Sequence, residues 1–295
     1  MSGTRSRARR TYRWLRKGAK RASSYGLFAR YWVRNRLDRS SALGDAAVTV
    51  SLTTYGSRID TVAYTIESIA VGRARPRRLV LWLDDAERFE HLPASLRRLQ
   101  KRGLEVALTK NWGPHTKYFP ALASTFAEGS ALITADDDIF YPASWLHGLL
   151  RAAERDPDEV VCYRASVVAV TADAVADYAS WPQCKTDEAS LIHFATGVSG
   201  VYYPPRMVEA LLSSGDEFWK LCPSADDLWL HRVALRHSVP IRQVSARGHH
   251  FPYVPGSQLQ TLVSQNLAGG NDLQIRRLYE ERDVAVLRAL GAPEA

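Results

Sequence analysis

Ala131-Leu132-Ile133-Thr134-Ala135-Asp136-Asp137-Asp138 decides the fold. The run from Ala131 to Thr134 reads as a strand buried on both faces, and three carboxylates follow it at once. Carboxylates do not enter a core unpaired, so the chain must leave the interior there. If strand geometry continues past Thr134, Asp136 and Asp138 point the same way, because side chains alternate. Two carboxylates on one face suit a hard divalent cation, Mn²⁺ or Mg²⁺, which in turn neutralises a diphosphate. A solvated acidic turn or a helix N-terminus is the plainer reading of the same residues.

Working outward, strand patterns alternate with helical ones. Val48 to Thr54 is a β-branched run, and Arg78 to Leu83 is a second strand closed by Asp84-Asp85. Glu105–Leu108 and Glu159–Tyr163 read as further strands. Helices are expected near Asp60–Ala70 (capped by Asp60 or Thr61), Leu92–Lys101, Phe119–Phe126, Trp145–Glu154 and Leu228–Arg236. Such alternation predicts an α/β domain with a mostly parallel sheet flanked by helices. Ligands in such sheets bind beyond the carboxyl ends of the strands. Thr53/Thr54, Asp84/Asp85 and Asp136 to Asp138 all fall at those ends, so one rim is expected to make one site.

The charge is unevenly placed. The chain has 295 residues, 46% of them hydrophobic, and a formal charge of +8. Residues 1–40 hold thirteen Lys/Arg and one acid, Asp38, while the rest carries 26 basic and 30 acidic residues. The expected organisation is a basic, aromatic arm over residues 1–45 and a single domain over 46–295. Tyr12, Trp14, Tyr25, Phe28, Tyr31 and Trp32 interleave with the arm's cations, which suits an anionic membrane surface contacted through residues 1–40. A disordered or RNA-binding tail is the alternative, but the mildly acidic body disfavours nucleic acid. No run approaches the roughly 18 apolar residues that span a bilayer, and no apolar stretch follows the first arginines as a secretory signal requires. The scattered Cys162, Cys184 and Cys222 suggest neither zinc nor a disulfide framework. The expected location is therefore cytoplasmic, peripheral at the inner face of the membrane.

A second acid pair, Asp226-Asp227, opens the Leu228–Arg236 helix, where helix capping explains one acid more easily than two. Gly197 and Gly200 permit a close backbone approach or a positive φ, as a loop beside a ligand requires, although a hairpin is a competing explanation. His249 and His250 are candidates to complete a metal shell. Asn266 and Asn271-Asp272 are candidates to orient a closing segment. Of Trp112, Trp181, Trp219 and Trp229, only Trp219 lies near the second acid pair and is a candidate for stacking on a ligand ring.

Four stretches together resemble GT-A-fold glycosyltransferases, in particular bacterial enzymes that build capsular and other envelope polysaccharides. They are Val50 to Ile59, His115 to Leu122, Ile133 to Pro142 and Ser224 to Leu230. In order and spacing they cover about residues 47 to 275. The resemblance implies a GT-A, Rossmann-like domain whose DxD motif holds Mn²⁺ or Mg²⁺ against the diphosphate of a nucleotide-sugar, a UDP-sugar. Ala135 departs from the placement of the first Asp in many relatives, so which two of Asp136, Asp137 and Asp138 ligate stays open. By the resemblance, Thr53, Thr54, Tyr55 and Arg58 receive base and ribose, Asp84 or Asp85 accepts from them, and Lys117 reaches the phosphates. Asp226 and Asp227 then resemble the acceptor-side acids of inverting enzymes, with Asp227 the general base and Asp226 its partner. The implied activity is hexosyl transfer to a glycan or a lipid-linked acceptor. Two rivals compete with it. A Mg²⁺-dependent nucleotidyltransferase would want a glycine-rich loop where only Gly56 stands, and a non-catalytic binding protein would act through the basic arm.

Overall fold

The computed structural model describes residues 22–257 and 270–295. The first half of the arm and Asn266 lie outside the described residues. The frame is a seven-stranded sheet in the order β3-β2-β1-β4-β8-β5-β9. Its members are β1 (Ala46–Thr53), β2 (Pro76–Leu83), β3 (Glu105–Leu108), β4 (Ala131–Thr134), β5 (Val160–Cys162), β8 (Val201–Tyr203) and β9 (Ile241–Gln243). A two-stranded antiparallel ribbon, β6 (Ala165–Val167) with β7 (His193–Ala195), stands apart. The pairings β1–β2, β1–β4, β2–β3 and β5–β9 are parallel, and β8 runs antiparallel between β4 and β5. The five expected strands all form.

Alternation explains why the sheet has two covered faces. Val50 and Leu52 of β1, Leu79 and Leu81 of β2 and Ile133 of β4 enter one apolar cluster. There they meet Ile66 and Ile69 of α2 (Val62–Ala70), Leu96 and Leu99 of α4 (Ala94–Gln100) and Leu149 of α6 (Trp145–Ala153). Val80 and Trp82 of β2, Leu132 of β4 and Val201 and Tyr203 of β8 enter the other cluster. That face is closed by α5 (Leu122–Ala127), α7 (Pro205–Ser213), α9 (Asp226–Arg236) and the helices Asn271–Leu278 and Glu281–Ala289. Fully buried leucines such as Leu52 and Leu81 are worth about 2–5 kcal/mol each against alanine. Two short helices join the expected ones, α3 (Ala86–Glu90) and α8 (Phe218–Leu221). The α7 helix and the helices Asn271–Leu278 and Glu281–Ala289 were not expected either. At the start of α2 neither expected cap operates: Asp60 ends a 3-10 turn, and the Thr61 hydroxyl donates to the Arg58 carbonyl instead.

Residues 22–37 form a helix, α1, and its inner side is docked on the body. Tyr31 is buried against Phe140, with ring centroids 5.3 Å apart, and Phe28 meets Tyr64 edge-on at 4.6 Å. Asn35 is fully buried and donates to Glu67 at 2.9 Å and to the Ser95 carbonyl at 3.1 Å, while Arg98 donates to its amide oxygen. Glu67, also fully buried, is neutralised by Arg102 at 2.6 Å. An unpaired carboxylate there would cost several kcal/mol, so this network specifies where α1 sits. Among the described residues, no helix is long and apolar enough to cross a membrane.

Candidate active site

β4 ends at Thr134, and the chain turns through Asp137 and Asp138. Asp136 and Asp138 therefore lie beyond the strand, contrary to the expected alternation on one strand face, and the turn gives each carboxylate its own surroundings. Asp137 is almost wholly buried: Arg58 Nη1 donates to its Oδ1 at 2.8 Å, and the Thr54 hydroxyl to its Oδ2 at 2.6 Å. The Thr65 hydroxyl holds its carbonyl at 2.9 Å. Burial pushes the Asp137 carboxyl above its ordinary range, with the Arg58 guanidinium working against that rise. Asp138 shares the same guanidinium, Nη2 to Oδ2 at 3.4 Å, and its carbonyl accepts from Val254 N–H. Asp136 keeps the most exposed side chain of the three, at 27%, and its N–H donates to the Tyr141 hydroxyl. Arg58 thus organises the turn, and Asp136 is the carboxylate most open to a ligand.

Above the carboxyl ends of β1, β2 and β4 lies a cleft of about 510 Å³. Thr53, Tyr55, Arg58, Asp84, Lys117 and the three aspartates line it, as expected from the sequence. Thr54 stands behind the rim, occupied by Asp137, and Asp85 caps α3 by accepting from Arg88 N–H rather than facing the cleft. Asn111, Gly113, Thr116, Val198, Ser224 and Tyr253 also line it, none of which the sequence reading singled out for the donor site. The Tyr253 segment was findable only in three dimensions, since a bridge pairs Ile139 with Tyr253 across more than a hundred residues of chain.

Lys117 joins the two acid clusters. It ends the 3-10 turn Gly113–Lys117, with Nζ 2.9 Å from Asp226 Oδ2 and 3.5 Å from Asp136 Oδ1. Burial alone would discharge it, but Asp226, Asp136 and Asp227 outweigh that and hold the ammonium well above its ordinary value. The turn is held by His115, fully buried and stacked on Phe218 at 4.0 Å. Its Nε2 donates to the Cys222 carbonyl at 2.9 Å, which leaves Nδ1 to accept from the Tyr118 hydroxyl. Burial drops the imidazole to about 4, so it stays neutral. His115 thereby staples the Lys117 turn to the segment that leads into Asp226.

Of the second pair, Asp226 is nearly buried and engaged with Lys117, while Asp227 Oδ2 accepts from Gly197 N–H at 3.0 Å. Burial first, and the Asp226 charge second, push the Asp227 carboxyl up to about 7. A Cβ on Gly197 would come within 2.8 Å of Lys117 Nζ and 2.9 Å of Asp227 Oδ1, so any larger residue there would have to push these side-chain ends aside. Gly200 does adopt a positive φ of 91°, but a Cβ there would strike the Trp145 indole at 2.7 Å. Its conformation serves packing rather than an acceptor surface.

The remaining candidates divide. Trp219 is exposed and meets Trp112 edge-on at 6.0 Å, with Lys110 Nζ 4.4 Å from the Trp112 ring. Asn111 and Gly113 beside Trp112 line the cleft, so these aromatics form a ledge at its lip. Trp181 and Trp229 are core residues. His249 and His250 are exposed and do not line the cleft; His249 bonds Ser245 Oγ through Nε2 at 2.9 Å. Asp272 accepts from Tyr178 N–H and anchors the helix Asn271–Leu278, whose Gln274 accepts from the N–H of cleft-lining Ser224 at 3.0 Å; neither Asn271 nor Asp272 lines the cleft. Among the described residues, no group of three or more His, Cys, Asp or Glu side chains is arranged to hold a metal ion.

No family model and no curated protein matches the chain. Solved structures do match. TarS from S. aureus, residues 1–349 in complex with UDP, is 17% identical, covers 82% of this chain and 70% of its own, and superposes with a TM-score of 0.49. A CMP:2-keto-3-deoxy-manno-octonic acid synthetase complexed with CTP is 11% identical over 78% of this chain and 99% of its own, with a TM-score of 0.39. The mannosyltransferase PcManGT from Pyrobaculum calidifontis, in complex with GDP-Man and Mn²⁺, is 15% identical over 92% of this chain and 78% of its own, with a TM-score of 0.50. The single seven-stranded, mostly parallel sheet flanked by helices is the GT-A, Rossmann-like fold of that enzyme.

Proposed function

We propose that the chain is a glycosyltransferase that moves a sugar from a nucleoside diphosphate sugar to a hydroxyl of a glycan or lipid-linked acceptor, with inversion. One observation carries the reading: Lys117 sits between Asp136 at the strand-end cleft and Asp226 of the second acid pair. In a transferase the two clusters have complementary tasks, one at the leaving group and one at the attacking hydroxyl. In a nucleotidyltransferase the second pair would have none.

Thr53, Tyr55 and Asp84 line the part of the cleft offered to base and ribose, and Arg58 and Lys117 bring positive charge towards the diphosphate. Asp136 and Asp138 are the carboxylates that would hold Mn²⁺ or Mg²⁺; Asp137, with both oxygens engaged, would not. Oxygen donors suit a hard cation, and such ions are commonly held by one or two carboxylates plus substrate phosphates, so a preformed protein cage is not required. PcManGT, of the same fold, holds Mn²⁺ with GDP-Man. When bound, the ion supplies neutralisation of the diphosphate charge. His249 and His250 do not line the cleft and are left out of this ligand set. The donor we favour is a UDP-sugar.

The acceptor hydroxyl oxygen attacks the anomeric carbon, and the bond from that carbon to the diphosphate breaks, its electron pair leaving with the nucleotide. Asp227 takes the hydroxyl proton, with a carboxyl near 7 that matches a base working around neutral pH. Asp226 and Lys117 position it. Trp219 and Trp112 offer aromatic faces to acceptor sugars. The basic arm places the enzyme at the inner surface of a membrane, beside acceptors for envelope polysaccharide.

The test is thermal stabilisation by a panel of nucleotide-sugars with Mn²⁺ or Mg²⁺. A donor at about 100 times its dissociation constant stabilises by about 2.7 kcal/mol. A metal-dependent shift for one donor, lost in Asp136→Ala/Asp138→Ala, is expected. A folded protein that shifts with none of them overturns the reading.

A further inference from the structure

Helix α1 has two apolar faces, and among the described residues only one of them is covered. Leu27, Phe28, Tyr31 and Asn35 turn inward onto the body. Tyr25, Ala29, Trp32, Val33 and Arg36 recur at helical spacing on the opposite side and form one stripe. Tyr25 is 58%, Trp32 40% and Val33 45% exposed, and Leu37 at the end of the helix is 73% exposed. A surface helix ordinarily turns charge outward, so an apolar stripe on the outer side asks for a partner.

The charges around the stripe say which one. Arg36 lies 3.5 Å over the Trp32 ring, and Arg30 borders the same side. Residues 1–21, leading into the helix, carry nine Lys/Arg and no acid. Aromatic rings and arginines at one level, with aliphatic side chains beside them, match the boundary between lipid headgroups and acyl chains. A nucleic acid would reward the cations and stack on the rings, but it offers nothing to Val33 and Leu37.

We propose that the stripe Tyr25, Trp32, Val33 and Leu37, bordered by Arg30 and Arg36, is a membrane-contact face that seats α1 flat on an anionic lipid bilayer. This rests on the membrane-docking part of the proposed function and adds which face docks and what it aligns. Tyr31, on the opposite side of the same helix, packs against Phe140 and Val254. Phe140 lies two residues past Asp138, and Val254 follows Tyr253 at the cleft wall. A bilayer under α1 is therefore one helix thickness from the aspartate turn, within reach of a lipid-linked acceptor.

The experiment is sedimentation of the full chain with vesicles of phosphatidylcholine alone or containing phosphatidylglycerol. Binding to the anionic vesicles is expected, weakening as salt rises. Trp32→Glu/Val33→Glu is expected to lose about tenfold or more of it, with an unchanged melting temperature, since both side chains face out. Brominated lipid is expected to quench the fluorescence that Trp32→Phe removes, a readout that leaves the fold untouched. Undiminished binding by Trp32→Glu/Val33→Glu, together with loss in Arg13→Gln/Arg16→Gln/Lys17→Gln, overturns the stripe while leaving membrane docking through the basic run intact. Binding to RNA but to neither vesicle overturns both, and the donor panel, run without lipid, stands apart from either outcome.

Discussion

Lys117 holds its ammonium 2.9 Å from Asp226 Oδ2, and through it one acid cluster meets the other. The two clusters are ninety residues apart in sequence, yet a single cation compensates both. Lys117→Met leaves Asp136, Asp226 and Asp227 facing one another without it. The expected loss is about 3 kcal/mol of unfolding free energy in urea, with transfer activity falling by about a hundredfold or more. An equally stable and active variant would mean the ion pair is incidental.

Asp227 makes a pH-dependent prediction with a definite sign. Its folded carboxyl is raised to about 7 from an ordinary 3.8, so the folded state keeps a proton that the unfolded chain gives up. Native stability therefore falls as pH climbs from about 4 to about 7. Asp227→Asn removes that loss: it is expected to melt higher than the native protein above pH 7, by about 1 kcal/mol or more, with the gain fading below pH 4. Transfer activity moves the other way and is expected to fall by about a hundredfold or more, while donor binding is kept.

At Gly197 the prediction concerns space. Alanine there would press on Lys117 Nζ and Asp227 Oδ1 together. Because the lysine end can shift by a few tenths of an ångström, stability is expected to drop by only about 1 kcal/mol. Activity is expected to fall by about tenfold, because the shift separates groups that act as a unit. Steady-state kinetics with a melt of the same sample separates the two effects.

Arg58 contacts Asp137 and Asp138 with different nitrogens of one planar fork. Lysine has a single point of charge and cannot reproduce that geometry. Arg58→Lys is expected to lower stability by about 1–2 kcal/mol and to raise the apparent dissociation constant for donor by about tenfold, read by titration calorimetry.

His115 contributes an acid limit. Its imidazole, held neutral with a value near 4 against an ordinary 6.5, binds its proton more readily in the unfolded chain. Stability is therefore expected to decline as pH falls from about 6.5 towards 4, and His115→Gln is expected to be flatter over that interval in a pH series of melts.

Much of this arrangement was legible because burial leaves a pattern. β1, β2 and β4 are apolar runs that stop at polar clusters, and a parallel sheet places those stops on one rim. Thr53, Asp84 and Asp136 therefore group together from the sequence alone. What lay beyond reach depends on contacts between distant segments. The Asp136 to Asp138 carboxylates were expected to alternate, but β4 ends at Thr134 and Arg58 and Thr54 claim Asp137. His115 looks like any polar residue in a loop until Phe218 and Cys222 enclose it. The antiparallel β8 is invisible to periodicity, since a strand reads the same in either direction. The inner side of α1 was hidden by its arginines, because local charge says nothing of the cavity that Tyr31 fills.

That plug of Tyr31 against Phe140 and Val254 means the N-terminal helix and the aspartate turn are packed as one piece. Trimming the chain before Ala46 would strip a hydrophobic backing from the segments on both sides of the cleft, and leave Glu67 short of Asn35. A swap of this helix between relatives would have to carry matching residues at 64, 140 and 254. A substitution on the inner side of this helix is thus felt where the aspartates are held.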